Sequence, residues 1–287
     1  MGTLFVLLSL LTGSSLTQAK SIATLDWTVA ETLVALGEEP LAVGDLAGYD
    51  RWVKEPKLAT QFDLGLRNQP NPEQILALQT ETKHQPLHFI NSSFYAANTP
   101  ILEKFAQVKI VDFYKEGDSW LNVLAATQEI ADYVGKLQAA QQLIADFSQK
   151  MAQLKPLVAP FTDRPIALVQ FADSRHLRIY AKNSPFGAIL DQLGFENAWQ
   201  GSHNMWGTEN IEVTQLAKLP AKSRLVVVKP YPANIGTALK YNTLWQHLPL
   251  AQDPLVLPAV WTFGGLPSAL RFAEVLSNGL QNGGEAW

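Results

Sequence analysis

The chain has 287 residues, which suits one large domain or two smaller ones. Hydrophobic residues make up 47% of it and charged residues only 17%, so there is ample material for a buried core. The net charge of −4 and the lack of a basic stripe argue against a nucleic-acid partner. Cysteine is absent, which excludes a disulfide framework, a thiolate metal site and a lipid anchor on a cysteine.

Residues 1–19 have the pattern of a secretory signal peptide. The apolar run over 4–11 is too short to span a bilayer as a helix, and the small residues Thr17 and Ala19 fit cleavage after Ala19. No Lys or Arg precedes this run, so a buried N-terminal segment is the alternative. A cysteine-free exported protein suits a bacterial periplasm, where an unpaired thiol can be oxidised, and we expect a periplasmic protein.

Residues 20–136 alternate short apolar runs with helical patterns, which predicts an α/β lobe. Predicted strands cover 21–26, 41–44, 86–90 and 108–112. Predicted helices cover 27–36, 73–78 with Pro72 at the first turn, a segment opened by Pro100, and 120–134. Residues 49–56 follow neither period and are predicted to form a loop.

Residues 137–155 have a clear helical period. The apolar side chains recur at alternating steps of three and four: Leu137, Ala140, Ile144, Phe147, Met151 and Leu154. Gly135 breaks the chain before this helix, Pro156 and Pro160 mark its end, and the linking segment is assigned to residues 137–158. Such a helix is about 28 Å long at 1.5 Å per residue, more than a compact crossover needs. We predict a rigid strut between two lobes; a surface helix within a single domain is the alternative.

Residues 159–287 repeat the alternation of strands and helices and form the predicted second lobe. Predicted strands cover 165–171, 176–180, 224–228 and 255–260, and predicted helices cover 184–193 and 267–280. The predicted fold is therefore two open, mostly parallel α/β lobes joined by one long helix. In such sheets ligands bind at the carboxyl ends of the strands.

Several aromatic residues lie in the predicted loops of both lobes. They are Trp52, Phe94, Tyr95, Trp206, Trp261 and Phe263. Together they indicate a shared apolar pocket with a few polar groups. The polar candidates are Arg67, whose charged fork suits anionic oxygens, and the hydroxyl of Tyr95. The alternative for Arg67 is a loop arginine that caps carbonyl groups.

Neither a catalytic group nor a metal site can be recognised. Pro86 separates His84 from His88 and prevents a helical metal pair, and the chain has no HExxH, GxSxG, Walker A or GxGxxG stretch. A structural role is predicted for the five histidines: His84, His88, His176, His203 and His247. We therefore predict no catalytic residue, no metal ligand and no enzyme activity.

Short stretches of the chain resemble the periplasmic ferric-hydroxamate siderophore-binding proteins of ABC importers. They are 35–37, 51–56 (RWVKEP), 65–71 (GLRNQPN), 197–201 (NAWQG), 204–207 (NMWG) and 258–261 (PAVW). The resemblance covers nearly all of the chain after residue 19 and implies two lobes joined by one long helix. It also implies a monomer that passes its siderophore to an inner-membrane ABC permease and has no cofactor of its own, because iron arrives inside the ligand.

The resemblance also implies roles for particular residues. The family's ligand arginine falls on Arg67 and its ligand tyrosine on Tyr95. Its pocket tryptophans and smaller polar contacts fall on Trp52, Trp206, Trp261, Asn204 and Thr208, with Thr in place of Ser at the last position. Two departures occur: Thr262 precedes Phe263 where the family has more aromatic residues, and the permease-docking glutamate has no clean counterpart. Glu103 lies near its position, and Glu209 and Glu212 are candidates on the other lobe.

The predicted function is capture of ferric hydroxamate siderophores for iron uptake. The nearest alternatives keep the class of protein and change the ligand to haem, cobalamin or a catecholate complex. A catecholate complex would require several basic residues, whereas the sequence places only Arg67.

Two further hypotheses change the class of protein. The first is a periplasmic hydrolase or metal enzyme on a two-lobed fold, and the second is a pure interaction module. The enzyme would require a catalytic constellation, which cannot be recognised in this sequence. The pocket aromatics count against the interaction module, because both predicted lobes contribute them.

Overall fold

The computed structural model describes residues 20–82 and 85–287. The predicted signal peptide at 1–19 and the predicted structural role of His84 lie outside the described residues. None of the helices within these ranges combines the length and the apolar character that crossing a bilayer requires.

The N-terminal lobe is built on a parallel sheet. Its strands are β1 (Ser21–Thr24), β2 (Ala42–Val43), β3 (Gly65–Leu66), β4 (Gln69–Pro70), β5 (Leu87–Asn91) and β6 (Gln107–Ile110). Its helices are α1 (Trp27–Ala35), α2 (Leu46–Trp52), α3 (Pro72–Glu81), α4 (Thr99–Leu102) and α5 (Ser119–Tyr133). The sheet has the order β2-β1-β5-β6, all parallel, and β3 and β4 form a separate antiparallel pair.

Side-chain caps fix where several of these helices begin. The carboxylate of Asp26 accepts from the backbone N–H of Thr28 at the start of α1, and Asn71 and Asp118 cap α3 and α5 in the same way. Each cap satisfies a backbone donor that the first turn of a helix leaves unpaired. Because Asp26 lies just after the end of β1, its cap also holds the carboxyl end of that strand against the start of α1.

The C-terminal lobe is built on a mixed sheet. Its strands are β7 (Ile166–Phe171), β8 (His176–Tyr180), β9 (Thr208–Glu212), β10 (Arg224–Val228) and β11 (Leu255–Leu257), in the order β11-β10-β7-β8-β9. The β11, β10 and β7 strands run parallel, whereas β8 and β9 add antiparallel neighbours. Its helices are α7 (Pro185–Leu193), α8 (Ile235–Lys240), α9 (Thr243–His247) and α10 (Leu266–Asn282), numbered after the linking helix α6 (Leu137–Val158).

The linking helix α6 contains 22 residues and buries one stripe of side chains. This stripe includes Ala140, Phe147, Met151, Leu154 and Val158, and it packs on α5, α7 and α10. The helix ends at Val158, the bound assigned to the linking segment, and Pro156 lies within its last turn. Proline lacks an N–H donor, so it costs the last turn one hydrogen bond without breaking the turns before it.

Some loop predictions were wrong. Residues 46–52 form α2, so Trp52 ends a helix and does not lie in a loop. Phe94 and Tyr95 lie on a 3₁₀-helix, Ser93–Asn98, and the strand β9 was missed. The two helices are too short to display a period of 3.6 residues, because each has about two turns or fewer. The strand β9 gives no clear apolar signal, because it is polar along its exposed face. The fold class itself, two α/β lobes joined by one long helix, is confirmed by the comparisons reported below.

The two lobes share a continuous apolar core. Val29 and Val111 of the N-terminal lobe belong to the same buried cluster as Ile166 and Val226 of the C-terminal lobe, with Phe147 of α6 also in it. Interiors of this kind are close-packed and deform little. The lobes are therefore held in a defined relation to each other, which fixes the walls of the cleft between them.

Candidate ligand-binding site

A cleft of about 280 Å³ lies between the two lobes. Its N-terminal wall comes from the segments that follow β1, β5 and β6, and its C-terminal wall comes from β8, β9 and the loop before α10. The carboxyl ends of parallel strands are where open α/β sheets bind ligands. The lining residues are Asp26, Thr28, Ser92, Phe94, Tyr95, Phe113, Tyr114, Arg178, Asn204, Trp206, Thr208, Asn210 and Phe263.

The predicted residues Phe94, Tyr95, Asn204, Trp206, Thr208 and Phe263 all line this cleft. The other three, Arg67, Trp52 and Trp261, lie beside it around the buried ring of Trp27. Trp261 lies edge-on to Trp27 with ring centroids 5.1 Å apart, and its centroid is 6.3 Å from that of Trp52 and 5.6 Å from that of Phe263. The aromatic cluster therefore reaches the cleft through Phe263. Trp27 could not be recognised in the sequence, because it reads as the first residue of a helix.

Arg67 occupies the turn between β3 and β4, where the Asn98 amide donates to its carbonyl oxygen at 3.2 Å. Its guanidinium carbon lies 3.4 Å from the centroid of the Trp27 ring, and its Nη1 donates to the Tyr95 hydroxyl at 2.8 Å. Within the described residues its side chain makes no hydrogen bond to a carbonyl group. This geometry disfavours the alternative in which Arg67 merely caps carbonyls. Stacking on Trp27 instead fixes the plane of the fork while leaving most of its donors for another acceptor.

Tyr95 is almost fully buried, and its ring lies edge-on to that of Phe94 at 5.1 Å. Burial raises the pKa of Tyr95 well above its usual value, Asp26 adds to this, and Arg67 opposes it. The hydroxyl therefore remains protonated at neutral pH. Since its oxygen already accepts from Arg67, its own proton is available to an acceptor in the cleft. Phe94 is 63% exposed and forms part of the rim.

Asn204 shapes the loop that carries Trp206. Its Oδ1 accepts from the backbone N–H groups of Trp206 and Thr208, at 2.9 and 3.2 Å, and from the Thr208 hydroxyl at 3.2 Å. This Asx-type arrangement folds the loop tightly and lets the indole of Trp206 line the cleft. The amide oxygen of Asn204 is thereby occupied, so its most evident contribution is to hold Trp206 in position.

The loop that carries Trp261 and Phe263 is fixed to the N-terminal lobe. The Thr28 hydroxyl donates to the Phe263 carbonyl at 2.8 Å and accepts from the Trp261 indole N–H at 3.1 Å. One turn further along α1, Glu31 accepts from the Gly265 N–H at 2.6 Å and from the Ser268 hydroxyl at 2.5 Å. These bonds join α1 to the start of α10 across the two lobes.

Glu31 is completely buried at this junction. Burial raises its pKa to about 8, although the hydrogen bonds from Ser268 and Gly265 oppose the shift. Because this carboxyl group is buried between the two lobes and no ion pair with it occurs among the described residues, we expect the packing of the lobes to depend on pH. Glu31 could not be recognised in the sequence, because nothing in its neighbourhood along the chain indicates that residues over two hundred positions away cover it.

Several polar residues of the cleft could not be recognised either. Asp26 accepts from the Ser92 hydroxyl at 2.5 Å, and both line the cleft. Arg178 and Asn210 enter from paired positions on β8 and β9. The β8 strand was predicted correctly, but alternation alone does not tell which of its faces meets the other lobe.

The described histidines have local partners. His88 shares a 2.6 Å hydrogen bond with the Tyr133 hydroxyl, and burial lowers its pKa. His176 contacts the Asp173 carboxylate at 2.8 Å, whereas His203 and His247 contact backbone carbonyls. Within residues 20–82 and 85–287, His, Asp and Glu side chains form no group of three that could hold a metal ion.

A larger depression of about 540 Å³ lies between the start of α5 and α7. It contains Trp120 and Trp199, but its other side chains are mainly small or polar, and neither Arg67 nor Arg178 lines it. The cleft between the lobes combines aromatic walls, a buried hydroxyl and nearby guanidinium groups. It is therefore the better candidate for a ligand site, despite its smaller volume.

The fold and the cleft define a class of protein that holds a small ligand between two lobes. Residues 22–252 match the profile of a family described as periplasmic binding protein. Because this match spans most of the chain, the chain belongs to the periplasmic binding proteins. It is a solute-binding protein of the periplasm and not an enzyme, as predicted from the sequence.

Comparisons with individual proteins are more informative than the family match. The chain is 32% identical over 268 residues to the iron(3+)-hydroxamate-binding protein FhuD of Escherichia coli, covering 92% of this chain and 88% of that one. It is similar in structure to FhuD of Vibrio cholerae bound to Fe³⁺–Desferal, with a TM-score of 0.81, 23% identity, and coverage of 93% and 100%. It is also similar to the triscatecholate siderophore-binding protein FeuA of Bacillus subtilis, with a TM-score of 0.71, 16% identity, and coverage of 93% and 94%. These likenesses confirm the predicted fold class and the predicted family.

Proposed function

We propose that the protein captures ferric hydroxamate siderophores in the cleft between its lobes and delivers them to an inner-membrane ABC permease. The observation that carries this proposal is the 2.8 Å hydrogen bond from Nη1 of Arg67 to the Tyr95 hydroxyl, at the edge of an aromatic cleft. A tris-hydroxamate saturates the coordination of ferric iron with its own oxygens, so the protein need not ligate the metal. It needs donors for the hydroxamate oxygens and an apolar surface for the organic shell. The similarity to the hydroxamate-binding relative supports this assignment.

The shape of the cleft suits a ligand that is held on one side. Its volume of about 280 Å³ is just below the ~300–1,000 Å³ that is usual for small-molecule pockets. A ferric siderophore would therefore place one face against Trp206 and Phe263 and leave another in solvent. Phe94, exposed at the rim, would cover part of the remaining apolar surface.

A ferric catecholate is the second candidate ligand, and one observation favours it. From the sequence only Arg67 could be placed near the ligand, but Arg178 also lines the cleft. Asp26 lines the same cleft and would repel a complex of high negative charge. A ferric hydroxamate complex carries little or no charge. It is therefore the better match to a cleft that contains both Arg178 and Asp26.

Delivery to a permease would use the outer surfaces of both lobes. Glu103 on the N-terminal lobe and Glu212 on the C-terminal lobe are exposed, whereas Glu209 is half-buried. These glutamates are our candidates for docking on a basic surface of the permease. We expect the protein to act as a monomer and to need no cofactor beyond the iron in its ligand.

The test is a titration of intrinsic tryptophan fluorescence with ferrichrome, ferric enterobactin, haemin and cyanocobalamin. Ferrichrome should quench the emission saturably, because Trp206 lines the cleft and the Trp27 cluster adjoins it. Metal-free ferrichrome controls for nonspecific quenching. Saturable binding of haemin or cyanocobalamin with no response to ferrichrome would overturn the hydroxamate assignment. Tight binding of ferric enterobactin alone would favour the second candidate.

A further inference from the structure

A second guanidinium group faces the cleft from the lobe opposite Arg67. Arg178 lies on β8, is half-buried, and has its guanidinium carbon 4.8 Å from the centroid of the Phe263 ring. This distance is within the range of a cation–π contact, although it is longer than the 3.4 Å between Arg67 and Trp27. Within the part of the chain that the structure describes, Arg178 forms no ion pair with a carboxylate.

The neighbours of Arg178 in the sheet are neutral amides. The register aligns Arg178 with Gln170 on β7 and with Asn210 on β9. Gln170 is committed to other partners: its Oε1 accepts from the Tyr180 and Thr262 hydroxyls, and its Nε2 donates to the Pro230 carbonyl. Asn210 is exposed and lines the cleft beside Arg178. The positive charge of Arg178 therefore faces the cleft, and the amides of Gln170 and Asn210 do not neutralise it.

The charges in the cleft are unevenly distributed between its two walls. The carboxylate of Asp26 lies on the N-terminal wall, where it is bound to the Ser92 hydroxyl and to the N–H of Thr28. Arg67 and the Tyr95 hydroxyl lie on the same side. On the C-terminal wall, Arg178 is the charged side chain among the lining residues. A partly desolvated cation without a counterion is unfavourable, and a ligand that brings a negative group to that wall relieves the cost.

We propose that Arg178 is a specificity-determining residue that favours ferric hydroxamates with an anionic substituent, such as a carboxylate, on the side facing β8. This inference rests on the proposed function and adds a preference within it. Arg67 and Tyr95 would serve the hydroxamate oxygens common to all such ligands, whereas Arg178 would distinguish them by peripheral charge. A ligand with a free ammonium group on that side would be disfavoured by repulsion.

The test uses three ligands that share one ferric hydroxamate core and differ in charge. They are ferrioxamine B, which carries an ammonium group, its neutral N-acetyl derivative and its anionic N-succinyl derivative. Dissociation constants are measured by tryptophan quenching for the wild-type protein, Arg178→Gln and Arg178→Lys. Arg175→Gln is the matched control, because Arg175 lies just before β8, is absent from the cleft lining, and its removal changes the net charge equally.

The wild-type protein should bind the succinyl derivative about tenfold more tightly than the acetyl derivative, as expected for one charge-assisted hydrogen bond. In Arg178→Gln this preference should fall to about twofold or less, whereas Arg178→Lys should retain part of it. Arg175→Gln should behave as wild type. The melting temperature of each variant reports whether it has folded.

Two results would overturn the inference while leaving the proposed function intact. One is a wild-type protein that binds all three complexes with no preference for the succinyl derivative, and the other is an Arg178→Gln protein that keeps the full preference. Equal weakening of all three ligands by Arg178→Gln would also contradict charge selection, since it would identify a general contact. A wild-type protein that binds none of the three complexes would instead contradict the proposed function on which the inference rests.

Discussion

Arg67 holds its charge at the edge of the cleft through two contacts, the Trp27 ring and the Tyr95 hydroxyl. The ring contact restricts the orientation of the guanidinium plane, and the hydroxyl uses only one of its donors. A planar fork held in this way can offer parallel donors to the paired oxygens of a hydroxamate. The same contacts explain why a lysine would be a poor substitute, since an ammonium group has no plane to stack.

Replacing Arg67 by alanine should weaken binding of ferrichrome about tenfold to a hundredfold, because a charge-assisted hydrogen bond contributes roughly 1.5–3 kcal/mol. Arg67→Lys should recover only part of this loss. The measurement is the dissociation constant by tryptophan quenching, beside the melting temperature. Arg51→Ala is the control, since Arg51 is exposed on α2. An Arg67→Ala protein that binds as tightly as wild type would remove Arg67 from the site.

Tyr95→Phe should have a smaller effect, near 0.5–1.5 kcal/mol for a neutral hydrogen bond. Because the Tyr95 hydroxyl also accepts from Arg67, the two substitutions should not be additive. The double variant should lose less affinity than the product of the single losses. Strict additivity in this cycle would show that the two groups act on the ligand independently.

At the scale of elements, the junction between α1 and α10 depends on a buried carboxyl group. The pKa of Glu31, raised by burial to about 8, exceeds the ordinary value of 4.5. Between these two values the folded protein binds a proton that the unfolded chain has released. The contribution of Glu31 to stability is therefore fully present below about pH 4.5 and is lost as the pH rises through 8.

Glu31→Gln should remove this pH dependence. The amide can still accept from the Gly265 N–H and can donate to the Ser268 hydroxyl, so the junction should remain intact. Between about pH 5 and 7 the free energy of unfolding should fall for the wild type relative to the variant, by at most about 1.4 kcal/mol per pH unit. Urea unfolding at each pH measures this, with the exposed Glu81→Gln as control. If the free energy of unfolding changed with pH in the same way for the wild type and Glu31→Gln, the result would contradict a raised pKa of Glu31.

The elements differ in how well their sequences predict them. The strands 176–180 and 224–228 match β8 and β10, and the helix predicted to begin at residue 137 does begin there, because a long apolar period or run dominates each segment. The short helix α2 and the polar strand β9 have no such signal. Composition and resemblance pointed to Phe94, Tyr95, Trp206 and Phe263, which line the cleft, and their part in ligand binding stays a prediction. Arg178 and Glu31 were not predictable, because their roles depend on which lobe covers them.

At the scale of the whole molecule, the shared core and the junction at Glu31 should limit relative motion of the lobes. The linking helix α6 packs against both α5 and α10, so it cannot bend without disturbing a close-packed interior. We expect only a small closure when a ligand binds. X-ray scattering curves with and without ferrichrome should nearly superimpose, with metal-free ferrichrome as control. A clear decrease in the radius of gyration would indicate hinge closure and contradict this expectation.

We expect a ferric hydroxamate to bind between the lobes with its oxygens towards Arg67 and Tyr95. The most direct measurement is an anomalous difference map, collected at the iron edge from crystals grown with ferrichrome. We expect one iron peak in the cleft between Tyr95 and Trp206, coordinated only by the siderophore, with hydroxamate oxygens within hydrogen-bonding distance of Arg67. An iron peak in the larger depression beside α7, or iron coordinated by protein side chains, would contradict this mode of binding.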